Sequence, residues 1–440
     1  MSPVPRLIIP LLFLGLALSS WLAPGALVPA DEPAPLVSTA AVGAELENRE
    51  GLPVLHLGGS PYEIGYQHGS LLREQIRAGI HQQVYAGLVR DKGIPHILLL
   101  CRAREIEALL PEEYRQEMKG LADGAGLSYL QILALNSAHE LAAEHVTATG
   151  VRQLMLSASP RFDPHFSSTQ GAAEPSVAQK GAAEEQARQV DIQGAFAAFG
   201  SATSDGRMLQ AAWFSAPAPE LNDVVVIVCR PDSGNSYVGL GKPGAVGILA
   251  GLNEEGLVVT ALGSPSQDTE PVGIPAPILL REVLQHGGGL STALNFLTSA
   301  QRTGGHNVLI GDGKRPDAQA LEFSAHQFSV FPAENDLIAR TRHYLDAELG
   351  QTQYALPWWD GDRSWEDLDS VLRGLEGTYG DLDSEIAGRL VEDLAAVEEE
   401  MSAADGAVWG IVLDGRSLEI GLVTGRDGGP SPAVGLDEGR

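Results

Sequence analysis

The feature that most constrains this chain is a change of hydrophobic period near Ala195. From Gly51 to about His145 the pattern is helical, with apolar Ile64, Leu71, Leu72, Ile76 and Ile80 at three-to-four spacings, as on a helix with one buried face. Pro61 marks a helix start, and Pro111-Glu112-Glu113 marks a second, with acidic residues where the helix dipole favours them. That second helix should end near the Gly124–Gly126 turn, and a third should run from about Tyr129. From Ala195 onward, apolar runs are punctuated by Ser204-Asp205-Gly206, Pro231-Asp232-Ser233-Gly234 and Asn253-Glu254-Glu255-Gly256, which is strand and turn patterning. Strands are expected near 195–201, 208–212, 224–229, 237–241, 245–249 and 257–261. More are expected near 307–310, 318–323, 327–331, 408–413 and 418–422. Helices are expected near 276–285 and 290–301 and across the acidic stretch 365–401. Strand groups alternating with helix groups imply an α+β layered domain with a mainly antiparallel sheet.

The chain has 440 residues, is 44% hydrophobic, and carries 29 Lys+Arg against 57 Asp+Glu for a net charge of −28. It can bury a sizeable core, and its charge argues against a nucleic-acid backbone or an anionic membrane surface as partner. Two cysteines, Cys101 and Cys229, exclude a disulfide framework and leave one pairing open. Arg6, the apolar run Leu7–Leu18 and the small-residue end Val28-Pro29-Ala30 read as a secretory signal. An uncleaved anchor is the rival reading, weakened by Pro10 and Pro24. The expected organisation is a signal peptide at 1–30, a Pro/Ala-rich tether at 31–50 and a helical segment at 51–146. An exposed or disordered insertion at 147–192, a strand-rich domain at 193–426 and a disordered tail at 427–440 follow. The protein is expected to be exported, with no stable membrane insertion after signal cleavage.

Several motifs together resemble a known family. They are Gly59-Ser-Pro-Tyr-Glu-Ile-Gly65 running into His68-Gly69, Pro111-Glu-Glu-Tyr114 with Glu117, Gly120 to Gly126, and Leu135-Asn136. Further on come Phe196-Ala-Ala-Phe-Gly-Ser-Ala-Thr203, Asp205-Gly206-Arg207, Pro243-Gly244, Gly247, Gly251 to Gly256, Asn307, Asp312 and Thr341-Arg-His343. In this order the set is similar to the penicillin acyltransferase family of N-terminal-nucleophile hydrolases, the group around acyl-coenzyme A:6-aminopenicillanic acid acyltransferase. The resemblance covers roughly Leu52 to Thr424. It implies a four-layer αββα sandwich and a precursor cleaved by its own cysteine, which then attacks an amide or thioester carbonyl with its freed amine as base. The implied ligand is a small acyl or amide compound. No cofactor is expected, no metal, and no nucleic acid; a protein partner is unspecified.

The chain departs from the family pattern where the chemistry should lie. The nucleophile position, three residues before Phe196, is Gln193, and Gly194 and Ala195 follow it. The next strand normally carries Gly-Arg-Asn-x-Asp, but here Ala212, Trp213 and Ser215 stand at the Arg, Asn and Asp positions. This suggests a nucleophile-deficient protein whose pocket Trp213 has refilled. Asn307 matches the family's Gly-x-Asn motif, with His306 beside it, and its carboxamide is expected to donate to a carbonyl oxygen. The alternatives are an active enzyme with a relocated nucleophile, such as Ser201 or Thr203, and a structural exported protein with a filled pocket. Cys229, in the apolar run Val224–Cys229, reads as a buried structural thiol. His139-Glu140 and His145 lack metal-ligand spacing, since six residues place the histidines about 120° apart around a helix. His68 reads as helix packing or a satisfied core group, the Gly241-Lys-Pro-Gly244 stretch as a turn, and Glu392-Asp393 and Glu398 to Glu400 as a solvated acidic face.

Overall fold

A computed structural model describes residues 43–49, 52–91, 93–138, 192–214, 224–264, 266–270, 272–353, 361–397, 408–424 and 433–436. All of them fall in the unit spanning Ala41–Arg440. The expected signal peptide, the insertion up to Asp191, Ser215 and the His139/His145 pair lie outside the described residues.

In chain order, the first elements are β1 (Glu45–Arg49), β2 (Leu52–Gly59), α1 (Pro61–Leu71), α2 (Arg73–Gly79), a π-helical stretch Ile80–Asp91, α3 (His96–Glu107), α4 (Glu112–Ala125) and α5 (Tyr129–Asn136). Next come β3 (Ile192–Ala198), β4 (Leu209–Phe214), β5 (Val225–Pro231), β6 (Tyr237–Gly241), β7 (Ile248–Asn253), β8 (Leu257–Gly263), α6 (Ala276–His286) and α7 (Leu290–Ser299). Then follow β9 (His306–Asp312), β10 (Asp317–Phe323), β11 (Phe328–Pro332), β12 (Leu337–Thr341), α8 (Ala347–Thr352), α9 (Gly361–Gly377) and α10 (Ser384–Val397). The last elements are β13 (Val408–Asp414), β14 (Glu419–Thr424) and β15 (Val434–Gly435).

The strands form a nine-stranded sheet, β1-β2-β5-β6-β7-β8-β9-β10-β11, and a six-stranded sheet, β12-β3-β4-β13-β14-β15. Pairing is antiparallel except for β2 with β5. Strand β5 shows why the layers stack. Val225, Ile227 and Cys229 pack toward α1 to α7, whereas Val226 and Val228 pack toward the second sheet. Successive side chains point to opposite faces, so a continuous apolar run is buried on both. The other face of the six-stranded sheet, with Phe196, Ala211, Trp213 and Val412, meets Leu368, Val371, Ala387 and Val391 of α9 and α10. Three apolar seams between four layers give an αββα sandwich, as the sequence resemblance implied.

Local chemistry sets the helix ends. Ser60 caps α1 in a capping box with Glu63, and Ser128 caps α5 with Gln131. Gly126 closes α4 at φ +66°, in the left-handed region. Helix α1 crosses α4 at backbone contact. A Cβ at Gly65 or Gly69 would overlap the carbonyl oxygen of Glu117 or Leu121, and one at Gly120 or Gly124 would overlap that of Tyr62 or Tyr66. The glycine motifs in both helices are therefore a reciprocal packing device.

Several expectations differ from the structure. The tether 31–50 contains β1, and the helical segment 51–146 opens with β2, whose residues Leu52–Gly59 pair with both β1 and β5. The tail 427–440 includes β15, which pairs with β14. Strand β12 and helix α8 were not expected. The acidic helical stretch 365–401 is divided between two helices, α9 and α10.

Candidate functional site

Strand β3 carries the position at which the family pattern places its nucleophile. The pairing of β3 with β4 is irregular between Ile192 and Gly194, so Gln193 sits in a bulge, partly exposed. Gly194 is buried and lies opposite Trp213, whose ring occupies the space a Cβ would need. Trp213 is fully buried, but it belongs to the seam with α9 and α10. The residues of β4 that face the other sheet are Ala212 and Phe214. The expected refilling of the pocket by Trp213 is thus corrected. Trp213 anchors the outer helices, and the inter-sheet side of β4 is lined with alanine and phenylalanine.

Asn307 faces the inter-sheet seam next to Leu309 and across from Glu322. Its Nδ2 donates to the carbonyl oxygens of Thr341 (2.6 Å) and His343 (2.8 Å). Both amide hydrogens are therefore committed to main chain, and Oδ1 has no partner among the described residues. Asn307 clamps β9 to the end of β12 and presents no donor to an oxyanion, which corrects the expectation drawn for it. His306 stacks on Phe323 at 5.6 Å.

The register places Thr341 opposite Gly194, so the Thr341–His343 segment lies beside the start of β3. Thr341 Oγ1 lies 2.7 Å from His343 Nδ1. Burial, helped by the charge of Arg340, pushes the His343 imidazole down to about 4, so it is neutral near pH 7. Arg340 donates to Glu322 (2.8 Å), and Arg342 donates to the Gly263 carbonyl (2.8 Å). Burial raises the Glu322 carboxyl, opposed by the N–H groups of Asp346 and Leu345, each 2.9 Å away, and by Arg340. These charged residues were missed as site residues. The signal available was their alternation: Ala318, Ala320 and Glu322 share one face of β10, and Ile338 and Arg340 share one face of β12.

The arrangement offers no thiol here. Cys229 lies on the helical face of β5, raised to about 11 by burial, and Cys101 is exposed on α3; both are free. A thiol so raised is not a thiolate at neutral pH. Ser201 donates to Asp336 and contacts Tyr379 at 2.8 Å on the exposed surface, and Thr203 donates to the Arg207 carbonyl (2.9 Å). Thr341 and His343 are a hydroxyl beside an imidazole, but both are buried, at 1% and 2% exposure. A nucleophile needs a base in reach together with oxyanion donors and access, and the described residues do not combine these.

On the nine-stranded sheet, the helices bury a second polar cluster. Arg281 makes a paired contact with Glu117 (3.2 and 3.4 Å), and its guanidinium lies 4.5 Å from the Tyr237 ring. His68 Nε2 accepts from the Gly244 N–H (3.1 Å), and burial with the Arg281 charge lowers its imidazole to about 4. Asn136 donates to the Gly244 carbonyl (2.9 Å) and accepts from the Val246 N–H (2.8 Å). The motifs at His68-Gly69, Leu135-Asn136 and Pro243-Gly244 thus meet as one structural joint, with Gly244 turning at φ +82°.

Two facing sheets flanked by helices give the αββα layering that the sequence resemblance implied. Residues 217–371, about a third of the chain, match the profile of the family described as acyl-coenzyme A:6-aminopenicillanic acid acyl-transferase, the family that the sequence motifs resemble. The matched span begins after β3 and β4, the two strands where the chain departs from the pattern. Among relatives, an uncharacterized protein of Archaeoglobus fulgidus is 29% identical over 390 residues, 80% of this chain and 59% of that protein. Protein dcd1B of Dictyostelium discoideum is 22% identical over 308 residues, 64% of this chain and 52% of the relative. The chain thus spans between half and three fifths of the length of these curated relatives. Solved structures similar to it include a Caenorhabditis elegans ortholog of N-acylethanolamine-hydrolyzing acid amidase, with 12% identity, 51% of this chain, 93% of that chain and a TM-score of 0.38. A mutant form of conjugated bile acid hydrolase from Clostridium perfringens shows 13% identity, 56% of this chain, 93% of that chain and a TM-score of 0.40.

Proposed function

We propose that this chain is an exported, nucleophile-deficient protein of the acyltransferase and amide-hydrolase type, which neither cleaves itself nor forms an acyl-enzyme. The observation that carries this reading is the start of β3. Gln193 stands at the nucleophile position, and the neighbouring Gly194 is covered by the Trp213 ring. A carboxamide has no proton it can lose at neutral pH to become a nucleophile. The engagement of both Asn307 donors supports the same reading, because an oxyanion would have to compete with two carbonyl oxygens. The ligand class, an acyl or amide compound held without turnover, rests on the family resemblance. Export rests on the apolar run behind Arg6.

Intact mass of the purified full chain tests self-cleavage. The expected result is a single species, intact or trimmed only near Ala30. A second fragment beginning at Gln193, Gly194 or Ser201 overturns the proposal. A panel of chromogenic acyl-amides, thioesters and lactams tests turnover. No burst and no steady rate are expected; a rate abolished by Ser201→Ala or Thr341→Val would reinstate a catalyst.

A further inference from the structure

We propose that Glu113, Glu282 and His286, where α4 meets α6, form a site for one divalent transition-metal ion of the zinc class. One ligand atom from each residue lies within 4.8 Å of the others. His286 Nε2 already lies 2.9 Å from Glu113 Oε1. Glu282 and His286 are four apart on α6, so both project from one helix face. Glu113 reaches them from the first turn of α4.

A second observation points to a missing partner. Tyr114 is fully buried, and its hydroxyl has no hydrogen-bond partner among the described residues. The Tyr114 ring lies 5.7 Å from the guanidinium of Arg281, the residue next to Glu282, which places its hydroxyl on the side of the cluster. Glu282 Oε2 is likewise shielded from solvent and has no hydrogen-bond partner among the described residues. Buried polar atoms left unpaired are costly, and a dication would satisfy this carboxylate directly. The local charge suits it. The two carboxylates carry negative charge, and the adjacent Arg281 is engaged with Glu117 rather than with them.

The ligand chemistry, one imidazole and two carboxylates, matches Zn²⁺ and its neighbours rather than a thiophilic ion. Ligand atoms of a tetrahedral zinc site lie about 3.3 Å apart, a spacing that fits inside the 4.8 Å enclosing the three ligand atoms here. The Gln285 side chain, donating to Glu113 Oε2 (3.0 Å), holds the Glu113 carboxylate in place from outside the set. Side-chain exposures of 29% for His286 and 25% for Glu113 leave an entry path. The sequence reading expected no metal because it weighed spacing within one segment, whereas these residues come from two helices 169 positions apart at Glu113 and Glu282.

The test uses the full chain stripped with chelator and dialysed. Zn²⁺ is titrated by calorimetry, and Co²⁺ is titrated as a probe with visible d–d absorption. One ion per chain is expected, with a cobalt spectrum of low-coordinate nitrogen and oxygen ligation. His286→Ala and Glu282→Gln should each weaken Zn²⁺ binding at least about tenfold and bleach the cobalt bands. His326→Ala, at an exposed histidine beside Asp268, should change neither. Circular dichroism melts of each variant establish that it is folded. The proposal is overturned by folded His286→Ala and Glu282→Gln proteins that bind with unchanged affinity. It is equally overturned by a parent chain that binds no tighter than about 100 µM.

Discussion

The α1–α4 crossing and the β3–β4 pair both rest on glycine, and they tolerate change for opposite reasons. At the crossing, the atoms facing Gly65, Gly69, Gly120 and Gly124 are main-chain carbonyl oxygens and amides of the other helix. Main chain cannot be made smaller, so the helices can approach this closely only if all four positions lack a Cβ. At β3, the atoms facing Gly194 belong to the Trp213 side chain. There the constraint is an agreement between two residues, and other pairs could satisfy it. The contrast runs parallel to the sequence, in which the glycines of the crossing match the resembled pattern and the residues of β3 and β4 do not.

The largest expected effect is at the crossing. Gly65→Ala should force α1 and α4 apart and cost about 5 kcal/mol or more, beyond ordinary core substitutions. Urea unfolding followed by circular dichroism measures it. Gly350→Ala is the counterpart, since no atom lies within 4 Å of a Cβ there and the residue is within α8. It should stabilise by about 0.5 kcal/mol through helix propensity. A folded Gly65→Ala protein of near-parental stability would dissolve the contrast.

Next in size is the buried ion pair beneath the same crossing. Arg281→Met leaves the Glu117 carboxylate buried without its cation and should cost about 3–5 kcal/mol. Arg281→Met with Glu117→Leu should recover much of that loss, because the desolvation cost of both charges disappears. Equal stability of the single and double variants would show that the pair is not the reason for the loss.

Much of this architecture was legible and some was not, for definable reasons. The starts of α1 and α4 were visible in Pro61 and in Pro111-Glu112-Glu113, because helix N-termini tolerate proline and favour acids. The strands from β3 to β8 were visible because glycine-rich turns separate them. Strand β2 was hidden by its position directly before a clear helix signal, and β12 by Arg340, an inward charge that breaks the alternation expected of a core strand. In the candidate site, the substitution at Gln193 could be read from spacing alone. The direction of Trp213 could not. Alternation shows that Trp213 and Ala212 point oppositely, but which face meets the second sheet depends on how the layers stack. The commitment of the Asn307 donors depends on β12, the strand that was not foreseen.

Acidification should produce the next effect. The His68 imidazole is lowered to about 4 by burial, and unfolded histidine titrates near 6.5. The unfolded chain therefore binds more protons than the folded one between those values, so the stabilising contribution is complete above 6.5 and is lost as pH falls toward 4. From pH 7 to pH 5 the loss should be about 2 kcal/mol for His68, at roughly 1.4 kcal/mol per pH unit below its unfolded value. His343 adds a loss of the same sign. His286, raised by its hydrogen bond to Glu113, acts with the opposite sign: its contribution is present below its unfolded value and fades as pH rises. Urea midpoints of the parent and of His68→Asn across this range measure the slope. An unchanged slope in His68→Asn would remove His68 from the account.

The smallest effect is the one that most directly separates the two glycine sites. Gly194→Ala should cost about 2 kcal/mol by driving a Cβ into the Trp213 ring. In a Trp213→Leu background the same substitution should cost about 1 kcal/mol less, the coupling expected of two side chains in direct contact. Trp213→Leu has its own large cost from the emptied seam against α9 and α10, so only the cycle, and not either single variant, reports the pairing. The parallel cycle at the crossing has no counterpart, because shortening Glu117 or Leu121 leaves its carbonyl oxygen where it is. If Trp213→Leu gives no relief at Gly194, the obstacle there is main chain as well, and β3 is as rigidly specified as the crossing.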